Sequence, residues 1–60
     1  MPELREVLTI GNTVSLETTT GLEYNHVVVE DISDDAVEIK YDSGDLELVP
    51  LSDITKAERH

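Results

Sequence analysis

Between Thr13 and Leu48, apolar residues recur at every second position in short runs: Val14 and Leu16, Val37 and Ile39, Leu46 and Leu48. A period of two puts alternate side chains on opposite faces, the signature of a strand buried on one side. The runs are separated by Thr19-Thr20-Gly21, Ser33-Asp34-Asp35 and Asp42-Ser43-Gly44-Asp45. These are turn residues: glycine reaches positive φ without a steric penalty, and Asp and Ser bond to nearby backbone. A chain punctuated this way is a succession of short strands joined by hairpins.

The pattern predicts four or five short strands, with a 3₁₀ turn before the last. Residues 13–18 form a strand with Val14 and Leu16 inward and Ser15 and Glu17 outward. Residues 22–32 form a longer one, with Tyr24, His26, Val28 and Ile32 on one face and Asn25, Val27 and Val29 on the other. An unbent strand of that composition buries both faces at its centre, so it is expected to bend and serve two sheets in turn, burying first one face and then the other. Residues 36–41 follow, with Val37, Ile39 and Tyr41 inward. After the Asp42 to Asp45 hairpin tip, Leu46 and Leu48 are expected to continue the inner face, with Glu47 and Val49 outward. Pro50 lacks an N–H and ends that strand. Leu51-Ser52-Asp53 predicts a 3₁₀ turn, residues 54–57 a short closing strand, and residues 58–60 a frayed tail. The expected core is Val14, Leu16, Val28, Val37, Ile39, Leu46 and Leu48, closed by Ile54.

Residues 1–10 read as a lead-in or short helix. Pro2 suits a first helical position, Glu3 and Glu6 suit the positive helix N-terminus, and Leu4, Val7 and Leu8 share a face. The competing reading is a strand through Val7, Leu8, Thr9 and Ile10.

Sixty residues allow one domain, residues 1–60, and so short a chain buries only about 60% of its unfolded surface. Without cysteine there is no disulfide and no thiolate metal site. Oligomerisation is one way to enlarge such a core. No apolar run is long enough to span a bilayer, and the first residues lack a basic-then-apolar leader. A cytoplasmic location is the expectation.

The net charge of −10, from 14 acidic and 4 basic residues, repels phosphate backbones, since affinity for nucleic acid comes largely from Lys and Arg. Three origins compete for this acidity. Salt adaptation is placed first, because lysine is scarce and Phe and Trp are absent. An ordinary acidic, solubilising surface comes next. Mimicry of a nucleic acid towards a DNA-binding protein comes last.

Few residues invite chemistry. Asp34-Asp35 and Asp42-Ser43-Gly44-Asp45 lack the oxygen spacing and terminal glutamate of a Ca²⁺ loop, and read as solvated turns. His26 has no cysteine partner, and no serine sits in a nucleophile motif. The expectation is no metal, no cofactor and no enzyme. Tyr24 and Tyr41 read either as a small binding platform or as aromatics at the edge of the core.

Gly11, Gly21 with Tyr24, Tyr41-Asp42-Ser43-Gly44, and Val49-Pro50-Leu51-Ser52-Asp53-Ile54 resemble, in order and spacing, the Tudor and KOW group of SH3-like barrels. Ser43 stands where that group carries a turn aromatic, and Glu23 where a second aromatic precedes Tyr24. The chain is also similar to the Sm-like family, including Hfq-like proteins. There, residues 2–8 match an N-terminal helix and Thr20-Gly21-Leu22-Glu23-Tyr24 a loop and second strand. His26 replaces a glycine of that family. Both resemblances imply a mainly β fold: a single small SH3-like or Sm-like barrel of four to five bent antiparallel strands with a short N-terminal helix. The Tudor resemblance implies a non-catalytic module binding a protein or peptide, basic in view of the chain's acidity, at a rim holding Tyr24, His26 and Tyr41 beside Asp42 and Asp45. The Sm-like resemblance implies an RNA-binding homo-oligomer, here from a high-salt organism. The third expectation is the acidic mimic inhibiting a DNA-binding protein.

Overall fold

The run that alternates most cleanly becomes β1 (Thr13–Thr18), with Val14 and Leu16 in the core and Glu17 in solvent. The computed structural model describes residues 4–60, and side chains from Glu6 onward. A single helical turn, α1 (Leu4–Val7), precedes β1, and β2 (Glu23–Ile32), β3 (Ala36–Lys40) and β4 (Leu46–Pro50) follow it. A 3₁₀ turn, Leu51–Asp53, then leads into β5 (Ile54–Arg59). All pairings are antiparallel, in the order β4-β3-β2-β1-β5. The fold is mainly β, a single five-stranded sheet. It is not closed into a barrel: β4 and β5 are its two edges, and no ladder joins them.

One core lies against the inner face. Val7, Leu8, Val14, Leu16, Val27, Val29, Val37, Ile39 and Val49 are buried, with Tyr24, Ile32, Tyr41, Leu51, Ile54 and Ala57 packed around them. The residues of β2 in that set, Tyr24, Val27, Val29 and Ile32, do not alternate. Two irregularities reconcile them. Leu16 pairs with Tyr24 but Val14 with Val27, so Asn25 and His26 together oppose Ser15. Val29 pairs with Ile39 but Asp31 with Glu38, so Glu30 is the extra residue. Each bulge inserts one residue and restores an apolar side chain to the inner face. β2 carries both bulges within one sheet, so it does not serve two sheets in turn as expected. The face assignment is corrected: Val27 and Val29 are buried, while Val28 is half-buried on the outer side and His26 is exposed.

The second correction concerns β4. Leu46 and Leu48 are 54% and 66% exposed, whereas Val49 is 2% exposed. The cause is the hairpin loop. The Tyr41 N–H donates to the Asp45 carbonyl and the Gly44 N–H to the Tyr41 carbonyl, both at 2.9 Å. The loop is thus three residues long, Asp42, Ser43 and Gly44, and Gly44 takes the positive φ, 94°, that such loops require. Lys40 then faces Leu46, Ile39 faces Glu47 and Val37 faces Val49. A tip of two or four residues would have set Tyr41 against Leu46 instead. A shift of one residue sends every side chain of a strand to the other face.

At the N-terminus, Val7 and Leu8 are buried as a helical lead-in requires. Asn12 tethers that segment, its Nδ2 donating to the Val7 carbonyl at 3.1 Å. Pro2 and Glu3, expected in the first helical turn, and the side chain of Leu4 lie outside the described residues. At the other end β5 runs to Arg59 rather than stopping at Ala57. Val14 pairs with Arg59, and the His60 N–H donates to the Thr13 carbonyl at 2.9 Å, so residues 58–60 are held in the ladder rather than frayed.

Candidate functional site

Tyr24 and Glu47 lie one residue inside β2 and β4 respectively, and Tyr41 follows β3. The inner face brings all three together where the sheet meets solvent. The tyrosine ring centroids are 6.3 Å apart with planes inclined at 49°, within the range of a tilted aromatic pair. Both hydroxyls donate to the same carboxylate, Tyr24 to Glu47 Oε2 at 2.6 Å and Tyr41 to Glu47 Oε1 at 2.8 Å. Glu47 is there because of the three-residue loop: opposite Ile39, it shares the inner face with Val49 but stands beyond the core.

The electrostatics follow from those two bonds. The tyrosine hydroxyls stabilise the charged carboxylate and hold the Glu47 pKa below its ordinary value. The same carboxylate favours the neutral phenols. Its hydrogen bond, aided by desolvation, pushes Tyr24 up to about 12 and raises Tyr41 as well. Asp53 adds to the field at Tyr24, and Asp45 to that at Tyr41. A carboxylate offers about four lone-pair sites. The tyrosines occupy one on each Glu47 oxygen, leaving each able to accept a further bond. Two aromatic rings, an ionised carboxylate with spare acceptors and neighbouring aspartates make a notch suited to a cationic group.

Asp53 is positioned by the β1–β2 turn. The Thr19 N–H donates to the Asp53 carbonyl at 2.8 Å, and the Thr19 hydroxyl bonds the Asp53 carboxylate. Asp45 sits at the exit of the Gly44 loop, where its carboxylate accepts the Ser43 hydroxyl at 3.2 Å. Asp42 is exposed in the same loop.

His26 is elsewhere. Its bulge, with φ at 54°, turns it out over β1 and β5, a left-handed conformation that histidine tolerates better than most residues. There its ring stacks on His60, centroids 4.2 Å apart and planes 15° from parallel. Ser15 links the two, its Oγ lying 2.5 Å from His60 Nε2 and accepting the His26 N–H at 3.4 Å. Leu16, Glu17, Glu23, Asn25, Lys56 and Glu58 complete the lining of this hollow of about 220 Å³. The five residues singled out in sequence thus divide: Tyr24, Tyr41 and Asp45 gather at the notch, Asp42 sits in the adjoining loop, and His26 belongs to a separate surface.

Glu47 is the residue that sequence reasoning missed. The pattern Leu46-Glu47-Leu48-Val49 favours burying two leucines over one valine. The clue was loop length, since Asp-Ser-Gly ending in glycine suits a three-residue hairpin loop.

Among the described residues, no group of three or more His, Cys, Asp or Glu side chains could hold a metal ion. No helix among them is long and apolar enough to cross a membrane. No protein-family profile, no curated protein and no solved structure matches this chain.

Proposed function

We propose that this chain is a non-catalytic interaction module, related in architecture to the Tudor-type SH3-like barrels, which binds a basic protein segment by a cationic side chain. The observation carrying this reading is the pair of tyrosine hydroxyls closing on one exposed carboxylate. Supporting it are the meander with its last strand returned beside the first, and the 3₁₀ turn before that strand. A cation beside Glu47 meets the charge of the carboxylate together with the two neighbouring rings. Exposed ion pairs are individually weak, so the rings supply selectivity and the overall charge of −10 supplies attraction. Affinity is expected to be modest and salt-sensitive.

The test is NMR titration of the tyrosine ring protons with capped tetra-arginine and tetra-lysine peptides, against tetra-glutamate. The expected result is saturable shifts of Tyr24 and Tyr41 with the basic peptides alone, weakened by Glu47→Gln. Shifts spread evenly over the carboxylate surface, with the tyrosines no more affected than their surroundings, would overturn the reading. A mass several times that of one chain, together with binding of single-stranded RNA, would favour the Sm-like alternative instead.

A further inference from the structure

At the other end of β2 from Tyr24, the surface has a different character. A groove of about 420 Å³ lies between the lead-in to β1, the β2–β3 turn and the 3₁₀ turn. Leu8, Ile10, Ile32 and Leu51 make its apolar surface, and Asp34 is the charged residue among the described ones that line it. Leu8 is buried, Ile32 and Leu51 are half-buried, and Ile10 stands 59% exposed at the margin. A second, shallower hollow of about 70 Å³ shares Ile32 and Ser33 with the first and extends to Leu48 on edge strand β4. Its charged residues are Asp31 and Glu38. The two hollows meet at Ile32 and Ser33 and form a track around the β2–β3 turn, with one exposed aliphatic side chain in each, Ile10 and Leu48, and three carboxylates among the described lining residues. Among the described residues, every charged one that lines either hollow is acidic.

We infer that this track is a second docking surface, separate from the tyrosine notch, for a cationic protein segment that carries two neighbouring aliphatic side chains. Charge complementarity selects the occupant. An acidic or neutral apolar segment would meet Asp31, Asp34 and Glu38 without compensation, on a chain already carrying −10. A purely basic segment would leave the apolar surface in water. A segment with both features buries Ile10 and Leu48 while its lysines or arginines remain at the acidic rim, where their aliphatic stems add further apolar contact. Exposed aliphatic side chains within a polar rim mark interaction surfaces generally.

The experiment uses three capped hexapeptides and the backbone amide spectrum of the whole chain. They are Lys-Lys-Leu-Leu-Lys-Lys, Lys-Lys-Ser-Ser-Lys-Lys and Glu-Glu-Leu-Leu-Glu-Glu. The expected result is saturable shifts at Ile10, Ile32, Ser33, Leu48 and Leu51 with the first peptide. The serine peptide should bind this surface at least about tenfold more weakly, and the acidic peptide not at all. Ile10→Ser, at an exposed position that the fold does not need, should weaken the first peptide at the track while leaving shifts at Tyr24 and Tyr41 in place. Asp34→Lys should do the same through charge. Equal binding of the leucine and serine peptides at the track would overturn the inference, as would shifts confined to the tyrosine notch. An unchanged affinity in both variants would also overturn it. Because the notch and the track are read from different resonances, failure of one leaves the other standing.

Discussion

β1 and β4 both begin with apolar and polar residues in alternation, and they resolve it in opposite ways. In β1 the apolar pair Val14 and Leu16 is buried; in β4 the apolar pair Leu46 and Leu48 is exposed, and the other face turns inward. The strands differ in their neighbours. β1 lies between β2 and β5, and Val7 and Leu8 join its side chains in the core. A slip in β1 would have to break two ladders and expose two aliphatic side chains. β4 has one neighbour, and its register is inherited from the loop that joins it to β3. Alternation therefore sorts side chains into two sets, and the sheet context decides which set goes in. At an edge, turn geometry outweighs the transfer of two leucines. The outcome also shapes the candidate site, because the reversed face is what delivers Glu47 to the tyrosines.

The widest test of this contrast compares truncations on the two faces of the β3–β4 hairpin. Ile39→Ala, at a fully buried position, should cost about 2–5 kcal/mol. Val49→Ala should cost about 2 kcal/mol, from two lost methyl groups and the space they leave. Leu48→Ala should change stability by less than about 0.5 kcal/mol, as an exposed substitution does. Urea unfolding of the three variants measures the order. If Leu48→Ala proved as damaging as Val49→Ala, the assignment of β4's faces would be broken.

Gly44 probes the loop that sets the register. A β-carbon there would meet no atom within 4 Å, so the cost of a side chain is conformational. Gly44→Val should destabilise by about 1–3 kcal/mol, the penalty of holding a β-branched residue at positive φ. Gly44→Asn, which tolerates that conformation, should recover most of it. Equal loss in both variants would assign the glycine's role to something other than φ.

The notch itself is tested by titration. The folded Tyr24 is raised above its ordinary value, so its contribution to stability is complete below about pH 10, the unfolded value. That contribution is lost as pH rises from there towards about 12. Glu47 runs the other way. Its folded value is lowered, so its contribution is present above the ordinary glutamate range and lost as pH falls through the depressed value. Glu47→Gln should bring the ultraviolet ionisation of both tyrosines back towards about pH 10. An unchanged tyrosine titration in that variant would dissolve the notch as an electrostatic unit.

The smallest effect concerns the His26–His60 stack. Rings on exposed strand positions contribute little, so His60→Ala should shift stability by no more than about 1 kcal/mol. It should nevertheless move the His26 ring resonances strongly, since the stacked neighbour is removed. Unmoved His26 signals would show that the stack does not form in solution.

The sequence by itself limited the strands to four or five and determined the places of the turns and the inner face of β1 and β3. Period-two patterning and turn chemistry are local properties, readable within six or eight residues at Thr13 to Thr18 or at Asp42 to Gly44. It also picked out Tyr24 and Tyr41 as a pair. Only the tertiary structure decided the faces of β2 and β4, because a bulge at Asn25-His26, another at Glu30 and a loop of three residues each displace the count by one. Such a displacement is invisible in the pattern, since both registers offer apolar residues to bury. Pairing of a strand with its neighbour selects between them by backbone hydrogen bonding. For the same reason only the fold could separate His26 from the tyrosines and set Glu47 between them, 23 residues beyond Tyr24 and six beyond Tyr41.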